Sequence, residues 1–191
     1  MKSTILEFQK SKFKIMSKKV ILIIAFVFVS NTFFGQAAFD KFDGQADVTS
    51  IVVNKKMFEL MSKVKMEASD KQAQQYLSLI KKLDNLKVFT TSSTKATAEM
   101  KAAAEKYTKT GGLEELMRVN DSGKNIKIMV KSGTIDGQIK ELVMFIDGSK
   151  ANETVLMSLT GNFYLDELSV LTDKMKIPGG EDLKKATKNK K

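Results

Sequence analysis

Residues Ile139 to Ile146 are the most apolar run in the chain beyond residue 37, and they constrain the fold more than any other segment. Asp136-Gly137 ahead of the run is a hairpin signal, and Asp147-Gly148 behind it begins another turn. The run between them reads as a strand. Alternate side chains of a strand point to opposite faces, so Leu142, Met144 and Ile146 face one way and Val143 and Phe145 the other. Both sets are apolar. The strand must be central, and the sheet around it needs cover on both faces, from another element of the chain or from a partner.

The flanking segments supply the rest of a sheet. Val48 to Val53 is β-branched and reads as a strand. Met57, Leu60, Met61 and Val64 fall at i, i+3, i+4, i+7 and predict an amphipathic helix. Ala73, Leu77 and Ile80 predict a second, shorter helix that stops near Asp84-Asn85. Leu86 to Thr91 reads as the next strand. Ser92 and Ser93 can cap a helix with the stripe Ala96, Met100, Ala103, Ala104, Tyr107, ended by Gly111-Gly112. Leu113 to Val119 is ambiguous by period. Ile126, Ile128 and Val130 alternate with polar neighbours or Met, as do Val155, Met157 and Leu159, whose strand should end near Gly161. Leu165, Leu168, Leu171 and Met175 mark a closing helix, stopped by Pro178-Gly179-Gly180. The expected fold is α+β: a mostly antiparallel sheet of five to six strands with helices packed on one face. One domain should span residues 38–183.

The N-terminus reads as an address. Ten apolar residues, Val20 to Val29, follow Lys18-Lys19 and precede a small-residue exit ending Gly35-Gln36-Ala37. This is the pattern of a secretory signal peptide over residues 1–37, cut after Gln36 or Ala37. Met16 also resembles a start, which would make residues 1–15 an upstream extension. A membrane span needs roughly 20 apolar residues, so no stable span is expected. A bacterial lipoprotein needs a Cys at the cut, and the chain has none. The expected location is the periplasm or the exterior.

The net charge of +10 is unevenly placed. Residues 1–37 carry six Lys and one Glu, and residues 184–191 carry five Lys and no acid. The intervening segment holds 21 basic and 21 acidic side chains, and Arg118 is the only Arg in the chain. A neutral fold with one Arg does not suit nucleic acid. The Lys-rich segment 184–191 is expected as a disordered, solvated tail.

Composition removes much chemistry. With no His, Cys or Trp, the chain offers no imidazole base, thiol nucleophile or Cys/His zinc site. Asp40, Asp43 and Asp47 around Gly44 lack the alternate spacing and terminal Glu of a calcium loop. Met57 and Met61 could offer thioethers to Cu(I), but their place on an apolar stripe favours core filling. Glu114-Glu115, Asp121, Glu141, Asp166-Glu167 and Glu181-Asp182 supply carboxylates without a sugar-stacking Trp. Ser92-x-x-Lys95 has the spacing of a Ser/Lys nucleophile, yet Ser92 falls at a helix start where capping wants a Ser. Gly111-Gly112 lacks the Lys-Ser/Thr of a phosphate loop. No catalytic, cofactor-binding or metal-binding residue is assigned.

Several segments together resemble a known family. They are Phe39-Asp40-Lys41-Phe42 leading into Val48 to Phe58, then Leu116-Met117-Arg118-Val119, Lys140 to Met144, and Ser158 to Leu168. These are similar to exported Bacteroidetes proteins known as a domain of unknown function, number 4252. The resemblance implies a small α+β envelope protein with no established activity and no catalytic residues to carry over. It also implies that Leu113–Val119 is a strand, and hints at a link to envelope stress. The expectation is an exported, non-enzymatic module that binds an envelope protein or extracellular polymer through a sheet face or edge near Ile139 to Ile146. Alternatives are a hydrolase using Asp/Glu or Ser/Lys, and a carrier of an apolar ligand. The sequence leaves the oligomeric state open.

Overall fold

A computed structural model describes residues 37–65, 67, 69–121, 124–148, 153–176 and 178–188. Apart from Ala37, the expected leader, with its alternative start, lies outside the described residues. A compact unit begins at Phe39.

Six strands, β1 (Thr49–Asn54), β2 (Leu83–Thr91), β3 (Glu114–Asp121), β4 (Lys124–Ser132), β5 (Gln138–Asp147) and β6 (Thr154–Tyr164), form one sheet. Their order is β1-β2-β6-β5-β4-β3, and every neighbouring pair is antiparallel. Five α-helices are described: α1 (Lys55–Met61), α2 (Lys71–Ile80), α3 (Thr94–Thr110), α4 (Leu168–Met175) and α5 (Gly180–Lys188). The meander β3-β4-β5-β6 places β5 between β4 and β6, so the run Ile139 to Ile146 is indeed central.

The one-face arrangement describes four of the helices. Leu86, Val88, Leu142, Met144, Ile146, Met157 and Leu159 form a core with Phe58 of α1, Leu79 and Ile80 of α2, Leu171 of α4 and Leu183 of α5. The remaining helix, α3, lies across the opposite face. It crosses from β2 to β3 at the far edge and packs on β5 and β6. Its buried stripe Ala96, Met100, Ala104, Tyr107 follows the predicted spacing. The lead-in shares that face. Phe39 and Phe42 are fully buried, Phe39 edge-on to Tyr107 at 5.2 Å and Phe42 tilted against Phe89 at 5.8 Å. The chain itself therefore supplies the second cover that β5 demands.

Three boundaries differ from the sequence reading for physical reasons. β2 begins at Leu83, because α2 closes at Ile80 and the chain turns at once, Lys82 N donating to Leu79 O. β6 continues past Gly161 to Tyr164. A Cβ at Gly161 would lie 2.4 Å from the Lys82 carbonyl oxygen, so glycine lets the strands pass in contact. The segment expected as a tail from residue 184 enters α5 as far as Lys188; residues 189–191 lie outside the described residues. Leu183 anchors that helix in the core. Glu114–Asp121 is a strand, as the resemblance implied.

Candidate functional site

The face covered by α3 carries a buried polar seam. Strand parity sets Glu141 of β5 on the same face as Val143 and Phe145, beneath the C-terminal end of α3. The Tyr107 hydroxyl donates toward both carboxylate oxygens of Glu141, at 2.9 and 3.0 Å. Glu141 is 6% exposed. Burial pushes its carboxyl above the usual range, and the Tyr107 hydrogen bond and the nearby Lys131 charge oppose that shift. Burial and the Glu141 charge both raise the Tyr107 phenol, which keeps its proton for the hydrogen bond. In the sheet register Thr160 stands opposite Glu141, and Ser158 opposite Lys87. The Lys87 ammonium pairs with Asp40 of the lead-in. Thr160 Oγ1 is buried without a hydrogen-bond partner among the described residues.

The other carboxylates are dispersed into separate pairings. Asp43 accepts from Ser50 at 2.6 Å, Glu115 pairs with Arg118 at 2.5 Å, and Asp182 pairs with Lys124 at 2.6 Å. Glu167 accepts from Tyr164 N at 2.9 Å and pairs with Lys82 at 2.5 Å. Asp166 is exposed. Asp40, Asp43 and Asp47 do not converge, since Asp40 turns to Lys87 and Asp43 to Ser50. Among the described residues no group of three or more acidic side chains could hold a metal ion. Ser93, not Ser92, caps α3, accepting from Ala96 N at 3.4 Å. Ser92 instead lines a cleft of about 270 Å³ with Thr91, Thr94, Thr97, Glu153 and Thr154. A second cleft of about 220 Å³ runs beside Met129 and Phe145, rimmed by Glu105, Lys109, Glu115 and Lys127.

The least satisfied surface lies at one edge of the sheet. Met57, Leu60 and Val64 do not face the core as their spacing suggests. Phe58 takes the buried position at 1% exposure, Met61 is partly buried, and Met57, Leu60 and Val64 are 50%, 51% and 56% exposed. Asn54 sets this phase by capping α1 directly after β1, its side chain accepting from Met57 N at 3.0 Å. The helix turns its largest apolar side chain inward and ends at Met61. Ile51 and Val52 of β1 are 38% and 46% exposed and point to opposite faces of the sheet. Phe58 was the available signal: it is the bulkiest residue of the helix, and the periodic stripe passed it over.

The two sheet edges are built differently. β3 carries Glu114, Glu115 and Arg118 and a bulge between Glu115 and Met117, devices that discourage strand addition. β1 reads Thr-Ser-Ile-Val-Val-Asn, with no charge, no proline and no break in its register with β2. The contact surface expected near Ile139 to Ile146 is not available: β5 is paired on both edges and buried on both faces. Among the described residues, most of the exposed large apolar side chains lie at β1, α1 and the turn after it.

Fold and surface together define a small α+β protein, an all-antiparallel six-stranded sheet with helices on both faces and, among the described residues, one unguarded edge. Residues 42–171 match the family described as a domain of unknown function (DUF4252), and the chain belongs to that family. No curated protein and no solved structure matches it. No helix among the described residues is long and apolar enough to cross a membrane.

Proposed function

We propose that this is an exported, non-enzymatic protein of the cell envelope that works by binding another polypeptide through β1 and the exposed flank of α1. One observation carries the reading: Ile51, Val52, Met57, Leu60 and Val64, all more than one-third exposed, gather at a sheet edge that lacks every guard present on the opposite edge. An open edge offers backbone N–H and C=O groups to an added strand, and flanking apolar side chains supply the affinity. The leader pattern at residues 18–37 supports export.

The test places a photo-crosslinking side chain at Val52, and at Asn120 on β3 as control, in the native cells. A discrete polypeptide adduct at 52 that is missing at 120 is the expected result. Equal labelling at both positions would reject the assigned surface. Fractionation of the same cells tests export, and full-length, uncut protein in the cytosol would reject it.

A further inference from the structure

We infer that the polypeptide received by β1 is a second copy of this chain, paired antiparallel across a two-fold axis normal to the sheet. The inference rests on the binding surface proposed above and specifies its occupant. Three features favour self-pairing. The strand is uncharged, so two copies bring no like charges opposite one another. The charges on the adjoining helix are satisfied within each copy, Lys55 with Asp84 at 2.9 Å and Lys56 with Glu59 at 3.5 Å. The apolar surface is on both faces of the edge, as a continuous sheet through two copies requires.

The symmetry restricts the register. Neighbouring residues of an edge strand alternate between hydrogen-bonded and non-hydrogen-bonded positions, and residues directly opposite share the same type and the same face. In a strand paired with its own copy, a residue must therefore lie on the axis opposite itself. For Thr49–Asn54 the central choices are Ile51, which pairs residues 49–53, or Val52, which pairs residues 50–54. In either case α1 of both copies lies on the same side of the joined sheet. α1 packs on β1 and β2 at the outer end of its helical layer, beside the joined edges. Self-association in the micromolar range is expected.

The chain has no cysteine, so a single introduced one can form a disulfide only between copies. A residue opposite itself has a Cα separation of about 4.5 or 5.5 Å, within the range a disulfide accepts. The full coding chain is expressed for export, purified as processed, and studied as Ile51→Cys, Val52→Cys and the β3-edge control Asn120→Cys. Under a mild thiol–disulfide couple, one of the first two is expected to cross-link at least tenfold more than the control. Wild type should dimerise in sedimentation equilibrium between about 1 and about 100 µM, and Val52→Lys, at an exposed position, should weaken the dimer at least tenfold while keeping the same monomer circular dichroism. Wild type monomeric throughout, with neither variant exceeding the control, would overturn self-pairing. If photo-crosslinking at Val52 then captures a different chain, the binding reading stands with a foreign occupant; if it captures nothing, both readings fall.

Discussion

Removing the Tyr107 hydroxyl should destabilise the protein by an amount that depends on pH. Tyr107→Phe keeps the ring and its edge contact with Phe39, and takes away the donor shared by both oxygens of Glu141. A hydrogen bond to a buried charged group contributes about 1.5–3 kcal/mol, against about 1 kcal/mol for a neutral one. At pH 7, with Glu141 at 6% exposure, the loss should be about 2 kcal/mol. That lowers Tm by roughly 4–8 °C in a domain of this size. Burial raises the folded-state pKa of Glu141 above the ordinary carboxylate range, while Tyr107 opposes the rise. A carboxyl with a raised native pKa is most favourable to folding below its unfolded value, and that contribution is lost as pH climbs through the native value. Deleting Tyr107's opposition lifts the native pKa further, so the penalty is largest at neutral pH. Below about pH 4.5 it should shrink toward about 1 kcal/mol.

Urea denaturation of wild type, Tyr107→Phe, Glu141→Gln and the double variant at pH 4 and pH 7 forms the cycle. In the Glu141→Gln background the Tyr107→Phe cost should be about 1 kcal/mol at both values, because only a neutral acceptor remains. Wild type should also gain on Glu141→Gln as the solution is acidified. A Tyr107→Phe cost that is the same at both pH values and in both backgrounds would refute the reasoning, and with it the view that the seam holds a charged, buried carboxylate.

Phe42→Ala should cost about 3–5 kcal/mol, since the ring is fully buried against Phe89; a loss below about 1 kcal/mol in denaturant unfolding would mean that the lead-in is not part of the fold. Leu183→Ala should cost about 2–4 kcal/mol by the same measurement if α5 is docked as described, whereas a free tail would show no change. Gly161→Ala sets a methyl 2.4 Å from a backbone oxygen that no rotamer can move. It should cost about 1–3 kcal/mol and broaden the amide resonances of Leu83 and Asn162.

The sheet was legible because its evidence is local. Period-two alternation and the paired turns around Ile139 to Ile146 fixed a central strand, and the demand for cover on both of its faces followed from parity alone. The sequence could not say that α3, rather than a partner, meets that demand, since this depends on a crossover from β2 to the far edge. The α1 stripe misled for a related reason. Spacing shows which residues share a helix face, not which face turns inward, and the cap at Asn54 sets that rotation. Glu141 carried a signal that went unused. Its parity with Val143 and Phe145 already placed a carboxylate on a buried face, where a donor had to be found for it. The Lys-rich segment read as a tail because its charge is conspicuous, whereas the residue that anchors the helix, Leu183, precedes it.

The difference between the sheet edges also bears on how far any assembly can grow. An open edge that pairs with an unlike edge leaves a fresh open edge behind, and such contacts propagate into filaments. Here the two edges cannot substitute for one another. β3 is charged and bulged, and β1 is neutral and unbroken in its register. Joining two β1 strands consumes both unguarded edges and leaves β3 at each end, so the assembly closes at two copies. This also accounts for an edge that would otherwise be an aggregation hazard in a chain rich in β-branched residues. A sheet built to stay monomeric would guard both edges, and one built to polymerise would guard neither. Guarding one edge is the arrangement that permits a single, terminating contact.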